Sequence, residues 1–137
     1  MSLSKAQLLD FPKLSDERGD LSFIEYPRHI PFEVKRIFYL YNISDNQSRG
    51  AHAHKKLEQI LIPISGEFDV TLDEGETKKT FHLAEPWKGL YIPPMIWNVL
   101  THFSPGTICL ALASDYYKEE DYHRNYLEFI TDVKRSN

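Results

Sequence analysis

Phe68-Asp69-Val70-Thr71-Leu72, then Asp73-Glu74-Gly75, then Thr77-Lys78-Lys79-Thr80-Phe81: the fold class turns on this stretch. A turn-forming triplet sits between two runs that carry β-branched and aromatic residues, a strong β-hairpin signal. Outward from it, run and turn follow one another along the chain. The runs cover residues 21–25, 34–42, 59–64, 67–72, 79–83, 89–92, 97–103 and 107–113. Between them stand Arg18-Gly19-Asp20, Ser44-Asp45-Asn46, Ser65-Gly66, Pro93-Pro94 and Ser104-Pro105-Gly106. Many short strands at this spacing, with no helical periodicity between them, predict an all-β sandwich or barrel. Helix is expected only at the end, over residues 118–131, where Tyr122, Tyr126, Phe129 and Ile130 share one stripe behind an acidic first turn. That helix should pack across the outside of the β core, with Tyr122 and Tyr126 as packing residues.

The chain has 137 residues, 42% hydrophobic and 13% aromatic. That suits one domain over residues 1–137, with its core between residues 14 and 115. Net charge is −4, which favours neither nucleic acid nor an anionic membrane as partner. Cys109 is the single cysteine and lies in the apolar run Thr107-Ile108-Cys109-Leu110-Ala111, so it reads as a small buried hydrophobe in a reducing compartment. No segment has signal-peptide character or approaches the roughly 18 apolar residues of a membrane span. A cytoplasmic protein is expected.

Against this acidic background one cationic cluster stands out, Arg49-Gly50-Ala51-His52-Ala53-His54-Lys55-Lys56-Leu57-Glu58. On an extended strand His52 and His54 point to the same face. An imidazole, with a usual pKa of about 6.5, takes or gives a proton near neutrality. Two of them beside Arg49, Lys55 and Lys56 point to proton transfer or to a metal site next to a small anion. His29, His82, His102 and His123 lack such company and read as structural or solvent-exposed.

The spacing of Gly50, His52, His54, Glu58 and Gly66 resembles the first motif of the cupins, which are double-stranded β-barrels (jelly rolls). In metal-binding cupins the two histidines and the glutamate are ligands, and a second motif adds a further histidine. That motif would fall in Gly89-Leu90-Tyr91-Ile92-Pro93-Pro94-Met95-Ile96-Trp97-Asn98, where Asn98 stands at the position of the last ligand. Asparagine is a poor ligand for the metals that imidazole suits, and the cationic neighbours oppose a dication. An open site of His52, His54 and Glu58 stays available.

A more specific likeness covers residues 14–129. Val34-Lys35-Arg36-Ile37-Phe38-Tyr39, the histidine motif, Leu112-Ala113-Ser114-Asp115-Tyr116-Tyr117 and Asp121-Tyr122 together resemble the WxcM-like sugar 3,4-ketoisomerases of the FdtA and QdtA type. The resemblance implies a metal-free reaction with no cofactor on a dTDP-linked 4-keto-6-deoxy sugar, and a homodimer with exchanged N-terminal strands. It also implies that His52 and His54 move the protons, through an enediolate. Which of them is the base stays open.

Arg36, Tyr39 and Arg49 are candidates to stabilise the oxyanion and to hold the diphosphate. Tyr91 and Trp97 read either as pocket walls against thymine or sugar or as ordinary barrel packing. Arg18 reads equally as a turn arginine in solvent and as a pocket residue. Arg18 and Asn98 together are expected to set the configuration of the product at carbon 4. A 3,5-epimerase on the same nucleotide sugar, a non-catalytic sugar-nucleotide-binding cupin and a metal-dependent oxygenase are the competing readings.

Overall fold

The computed structural model describes residues 2–44 and 46–136; Met1, Asn137 and Asp45, in the expected Ser44-Asp45-Asn46 turn, lie outside the described residues. The strands are β1 (Gln7–Asp10), β2 (Lys13–Asp16), β3 (Gly19–Ser22), β4 (Arg36–Leu40), β5 (Arg49–His54) and β6 (Gln59–Ser65). They continue with β7 (Phe68–Asp73), β8 (Lys78–Leu83), β9 (Lys88–Ile92), β10 (Trp97–Thr101), β11 (Ile108–Ala113) and β12 (Tyr122–His123), and one α-helix, α1 (Tyr126–Ser136), closes the chain.

One five-stranded sheet has the order β1-β9-β6-β11-β4 and the other β12-β5-β10-β7-β8, while β2 and β3 pair as a separate hairpin. Both sheets are antiparallel throughout. Their inner faces meet in one core that includes Phe68, Val70, Leu72, Leu90, Ile92, Leu100 and Ala111. This is the cupin jelly roll with a single C-terminal helix, the fold class the strand pattern and the motif resemblance pointed to.

Side-chain alternation builds that core. On β7, Phe68, Val70 and Leu72 are fully buried, while Asp69 and Thr71 between them face outward. The triplet Asp73-Glu74-Gly75 makes the expected hairpin from β7 to β8. Gly75 has φ of 113°, and its N–H donates to Asp73 Oδ1 at 2.7 Å. A second apolar cluster (Phe11, Ile30, Phe32, Ile60, Ile62 and Leu112) covers the outer face of the first sheet with the N-terminal segment.

The expected C-terminal helix over residues 118–131 needs correction. Its first part is a 3₁₀ turn, Glu119–Asp121, followed by β12, and α1 begins only at Tyr126. Tyr122 and His123 gain more as a strand, pairing with His54 and Ala53 of β5. Asn125 then caps the helix, its Oδ1 accepting the Glu128 N–H at 3.1 Å. The rest of the stripe behaves as expected: Phe129, Ile130 and Val133 pack on Ala53, Trp97 and Val99 outside the second sheet. Pairing in the first sheet also reaches back to Gln7, ahead of the expected core, because β1 pairs with β9 from Gln7↔Tyr91 to Asp10↔Lys88. Among the described residues no helix is long and apolar enough to cross a membrane.

Candidate active site

The site begins with an irregularity in β5. His52 pairs with Asn98 of β10, but Val99 pairs with Gly50, so Ala51 is an extra residue on the β5 side. Gly50 and Ala51 both take positive φ, 85° and 57°. Such a bulge re-aims side chains, and it does so here. Strict alternation would send Arg49 and His52 to opposite faces; across the bulge they line the same cavity, of about 240 Å³. Gly50 is required on two counts, its φ and its contacts, since a Cβ there would meet the Asn98 carbonyl oxygen at 2.9 Å. Asn98 is buried and clamps the bulge, its Nδ2 donating to the His52 carbonyl at 3.2 Å.

His52 presents one nitrogen to the cavity. Its Nδ1 lies 3.1 Å from the Gly50 carbonyl, an acceptor, so Nδ1 carries the proton and Nε2 keeps the lone pair. His54 stands edge-on behind it, with ring centroids 5.0 Å apart, and only 4% of it is exposed. Tyr122 of β12 packs against both rings, 5.1 Å from His52 and 4.4 Å from His54. Burial holds both imidazoles below their usual pKa. For His52 the Arg124 charge adds to burial, and the Gly50 carbonyl opposes it. For His54 burial and then the neighbouring His52 bring the value down to about 4. Both rings are therefore neutral at neutral pH.

A charged frame borders the cavity. Arg124 lies 4.1 Å over the Tyr122 ring and is gripped by Glu119 through hydrogen bonds of 2.6 and 2.9 Å. The Tyr117 hydroxyl also donates to Glu119. That leaves Arg49 and Arg124 at one cavity with His52, Asn98 and Tyr122. Two cations beside a neutral base suit an anionic substrate whose reacting carbon loses a proton. Cys109 also lines the cavity but is inert, its thiol pushed up to about 12 by burial.

Of the residues picked from sequence, His52, Arg49 and Asn98 come together at this cavity, and His54 backs them. Arg36 lies alongside. Its guanidinium is 5.2 Å over Phe38 and 5.7 Å over Tyr117, and its Nε is buried without a hydrogen-bond partner. The remaining candidates lie outside the cavity of this chain, and strand parity explains three of them. Tyr39 sits between the inward Phe38 and Leu40, so it faces solvent, 59% exposed. Tyr91 sits between the buried Leu90 and Ile92, packs near Phe32 at 6.5 Å and donates to Glu58 Oε1 at 2.6 Å. Trp97 precedes the inward Asn98, so it turns outward under α1, 5.2 Å from Tyr126 and 5.7 Å from Phe129. Arg18 is at the tip of the β2–β3 hairpin, paired with Asp16 at 2.7 Å in solvent.

Tyr122 reverses the expectation of a packing residue, and Arg124, Glu119 and Asp121 were missed outright. The one sequence signal for them was the Asp121-Tyr122 pair in the family resemblance. Glu58 does not join the histidines: bound by Tyr91, it lines a separate cleft of about 530 Å³ with Lys55, Lys56 and Asp121. The His52–His54–Glu58 set therefore does not converge. Among the described residues no group of three or more His, Cys, Asp or Glu side chains is placed to hold a metal ion.

Comparison with known proteins agrees with this geometry. A family model described as FdtA, WxcM-like, C-terminal matches residues 4–134. A TDP-4-oxo-6-deoxy-α-D-glucose 3,4-oxoisomerase of Aneurinibacillus thermoaerophilus is 40% identical over 131 residues, covering 96% of this chain and 94% of that protein. The sugar 3,4-ketoisomerase QdtA of Thermoanaerobacterium thermosaccharolyticum, solved with TDP, superposes with a TM-score of 0.95 at 38% identity, over 98% of each chain. A 3,4-ketoisomerase of Helicobacter canadensis superposes with a TM-score of 0.91 at 42% identity, over 94% of this chain and 97% of that one. With a family model spanning nearly its whole length and relatives matched end to end, the chain belongs to the FdtA family of WxcM-like cupins.

Proposed function

We propose that this chain is a TDP-sugar 3,4-ketoisomerase, converting TDP-4-keto-6-deoxyglucose into its 3-keto isomer by histidine-based proton transfer, without metal. The carrying observation is the His52–His54 pair, neutral and 5.0 Å apart, with His52 alone of the two on the cavity. The activity itself rests on the relatives at 38–42% identity.

The ketone at carbon 4 acidifies the proton on carbon 3. His52 Nε2 takes that proton, and the electron pair of the broken C–H bond delocalises into an enediolate over the two oxygens. A proton returned to carbon 4, with redistribution between the oxygens, leaves the ketone at carbon 3. Acid–base transfer of this kind contributes roughly 10²–10⁴-fold. Burial disfavours an imidazolium at His52, so the proton is held briefly and given back readily. Arg49 and Arg124 supply fixed positive charge for the enediolate and the diphosphate. His54 supports His52 from behind, and so the carbon-bound proton is assigned to His52.

The same reading includes a homodimer. Leu14 and Leu21 of the N-terminal hairpin, with Ile37, Tyr39 and Tyr41 in and beside the edge strand β4, are all more than half exposed, an apolar surface suited to a second copy. Sedimentation at micromolar protein tests it.

The reaction is tested by proton NMR in heavy water with TDP-4-keto-6-deoxyglucose and chelator-treated protein. Signals of a 3-keto isomer deuterated at carbon 4 are expected. Exchange at carbon 5 in place of isomerisation would move the reading to an epimerase; tight binding without exchange would move it to a binding protein.

A further inference from the structure

Beyond the cavity, one carboxylate is built into the wall that carries the histidines. Asp121 ends the 3₁₀ turn Glu119–Asp121 and is 15% exposed at its side chain. Its Oδ1 accepts the Lys56 N–H at 2.9 Å and its Oδ2 the Leu57 N–H at 3.3 Å, while its carbonyl accepts the Lys55 N–H at 2.8 Å. A carboxylate seated on two amides is fixed in place. The same Oδ2 lies 3.5 Å from His54 Nδ1, an atom buried without a hydrogen-bond partner.

Four groups face the His54 ring from the elements around it. They are His52 on its own strand, Tyr122 on β12, Arg36 on β4 and Asp121. Of these only Asp121 is anionic, and it stands at the Nδ1 side. A neutral imidazole with a carboxylate oxygen beside Nδ1 places its proton there and its lone pair on Nε2. The gap is a few tenths of an ångström longer than a good hydrogen bond, as catalytic contacts in unliganded sites often are.

We infer that Asp121 is a positioning residue that fixes His54 as the Nδ1–H tautomer and holds it against Tyr122 and His52. The inference rests on the proposed role of the histidine pair but is read without it. Asp121 does not line the His52 cavity; it acts through His54. The backbone seat explains why an aspartate stands here: its rigid carboxylate serves strand end and ring together, and a small shift in either would tilt His54 away from Tyr122.

The test is long-range ¹H–¹⁵N NMR of the histidine side chains in ¹⁵N-labelled protein without ligand, with His54 assigned by His54→Gln. The wild type is expected to show His54 as Nδ1–H. In Asp121→Asn the amide NH₂ replaces Oδ2 and donates to Nδ1, so His54 is expected to switch to Nε2–H; Asp121→Glu should restore Nδ1–H. With TDP-4-keto-6-deoxyglucose, Asp121→Asn should lower kcat about tenfold or more with little change in KM, the pattern of a supporting group. An Nε2–H His54 in the wild type overturns the inference whether or not any variant folds. An unchanged Nδ1–H signal in Asp121→Asn also overturns it, leaving Asp121 a backbone cap alone. Absence of turnover in the wild type, with the tautomer switch intact, would fault the proposed reaction and not this role.

Discussion

His54 should make the stability of this protein fall steeply in mild acid. Buried and beside His52, it binds a proton in the folded chain only near pH 4, against 6.5 for an ordinary histidine. The sign follows from linkage: between those values the unfolded chain takes up a proton that the folded chain refuses. The stabilisation is complete above pH 6.5 and is lost as the pH falls toward 4. At about 1.4 kcal/mol per pH unit, the whole window is worth roughly 3 kcal/mol, a large share of a domain stability of about 5–15 kcal/mol. The assay is urea unfolding of wild type and His54→Gln, followed by tryptophan fluorescence at neutral pH and near pH 4. Carboxylates and histidines remote from residue 54 titrate alike in both proteins, so their effects largely cancel in the comparison. Wild type should lose roughly 3 kcal/mol more than the variant on acidification. Equal losses would refute the reasoning, because they would mean that His54 takes up its proton in the folded chain as easily as in the unfolded one.

Three further outcomes separate packing from chemistry. Trp97→Ala empties the space under α1 and should cost about 3–5 kcal/mol in urea unfolding, with KM for the TDP sugar unchanged; a raised KM would return Trp97 to the pocket. Gly50→Ala forces a Cβ against the Asn98 carbonyl at a positive φ. It should destabilise by about 1–3 kcal/mol and lower kcat, measured by melting temperature and turnover. Arg18→Ala with Asn98→Ala should alter the ratio of galacto to gluco product in the NMR assay, and unchanged ratios would remove both residues from control of carbon 4.

The fold was legible because it depends on runs and turns. Phe68 to Phe81 reads as a hairpin and is one, and the strand runs found at residues 59–64, 79–83 and 107–113 sit within a residue or two of β6, β8 and β11. The C-terminal segment misled because its stripe fits a helix from Glu119. The competing terms, strand pairing of Tyr122 with His54 and the Asn125 cap, arise only in three dimensions. Tyr122, Arg124 and Asp121 were hidden for the same reason: apart from the likeness carried by Asp121-Tyr122, a polar, irregular segment has no pattern to read until β12 lays it beside β5.

Where Trp97, Tyr39 and Tyr91 point was legible by parity. A strand residue whose neighbour faces the cavity does not face it too, so Trp97 and Asn98 compete for one place. Asn98 takes it because its amide satisfies the His52 carbonyl, and Trp97 goes to the apolar underside of α1. The same rule sends Tyr39 and Tyr91 outward once Phe38, Leu40, Leu90 and Ile92 supply the core. Applied to β5, however, the rule would have failed in the opposite direction. Counting from His52, Arg49 falls on the wrong face, and only the bulge at Gly50 and Ala51 returns it to the cavity. The residue bearing that exception is not a glycine. Ala51 takes a φ of 57°, a left-handed conformation that costs an L-residue about 1–2 kcal/mol. Three contacts hold it there: the Asn98 clamp on the His52 carbonyl, β12 against His54, and the Met95 N–H on the His54 carbonyl at 2.7 Å. A backbone detained in an unfavoured conformation by its surroundings, with a cation and a neutral imidazole delivered to one cavity as the result, is strain placed where the proposed chemistry needs it.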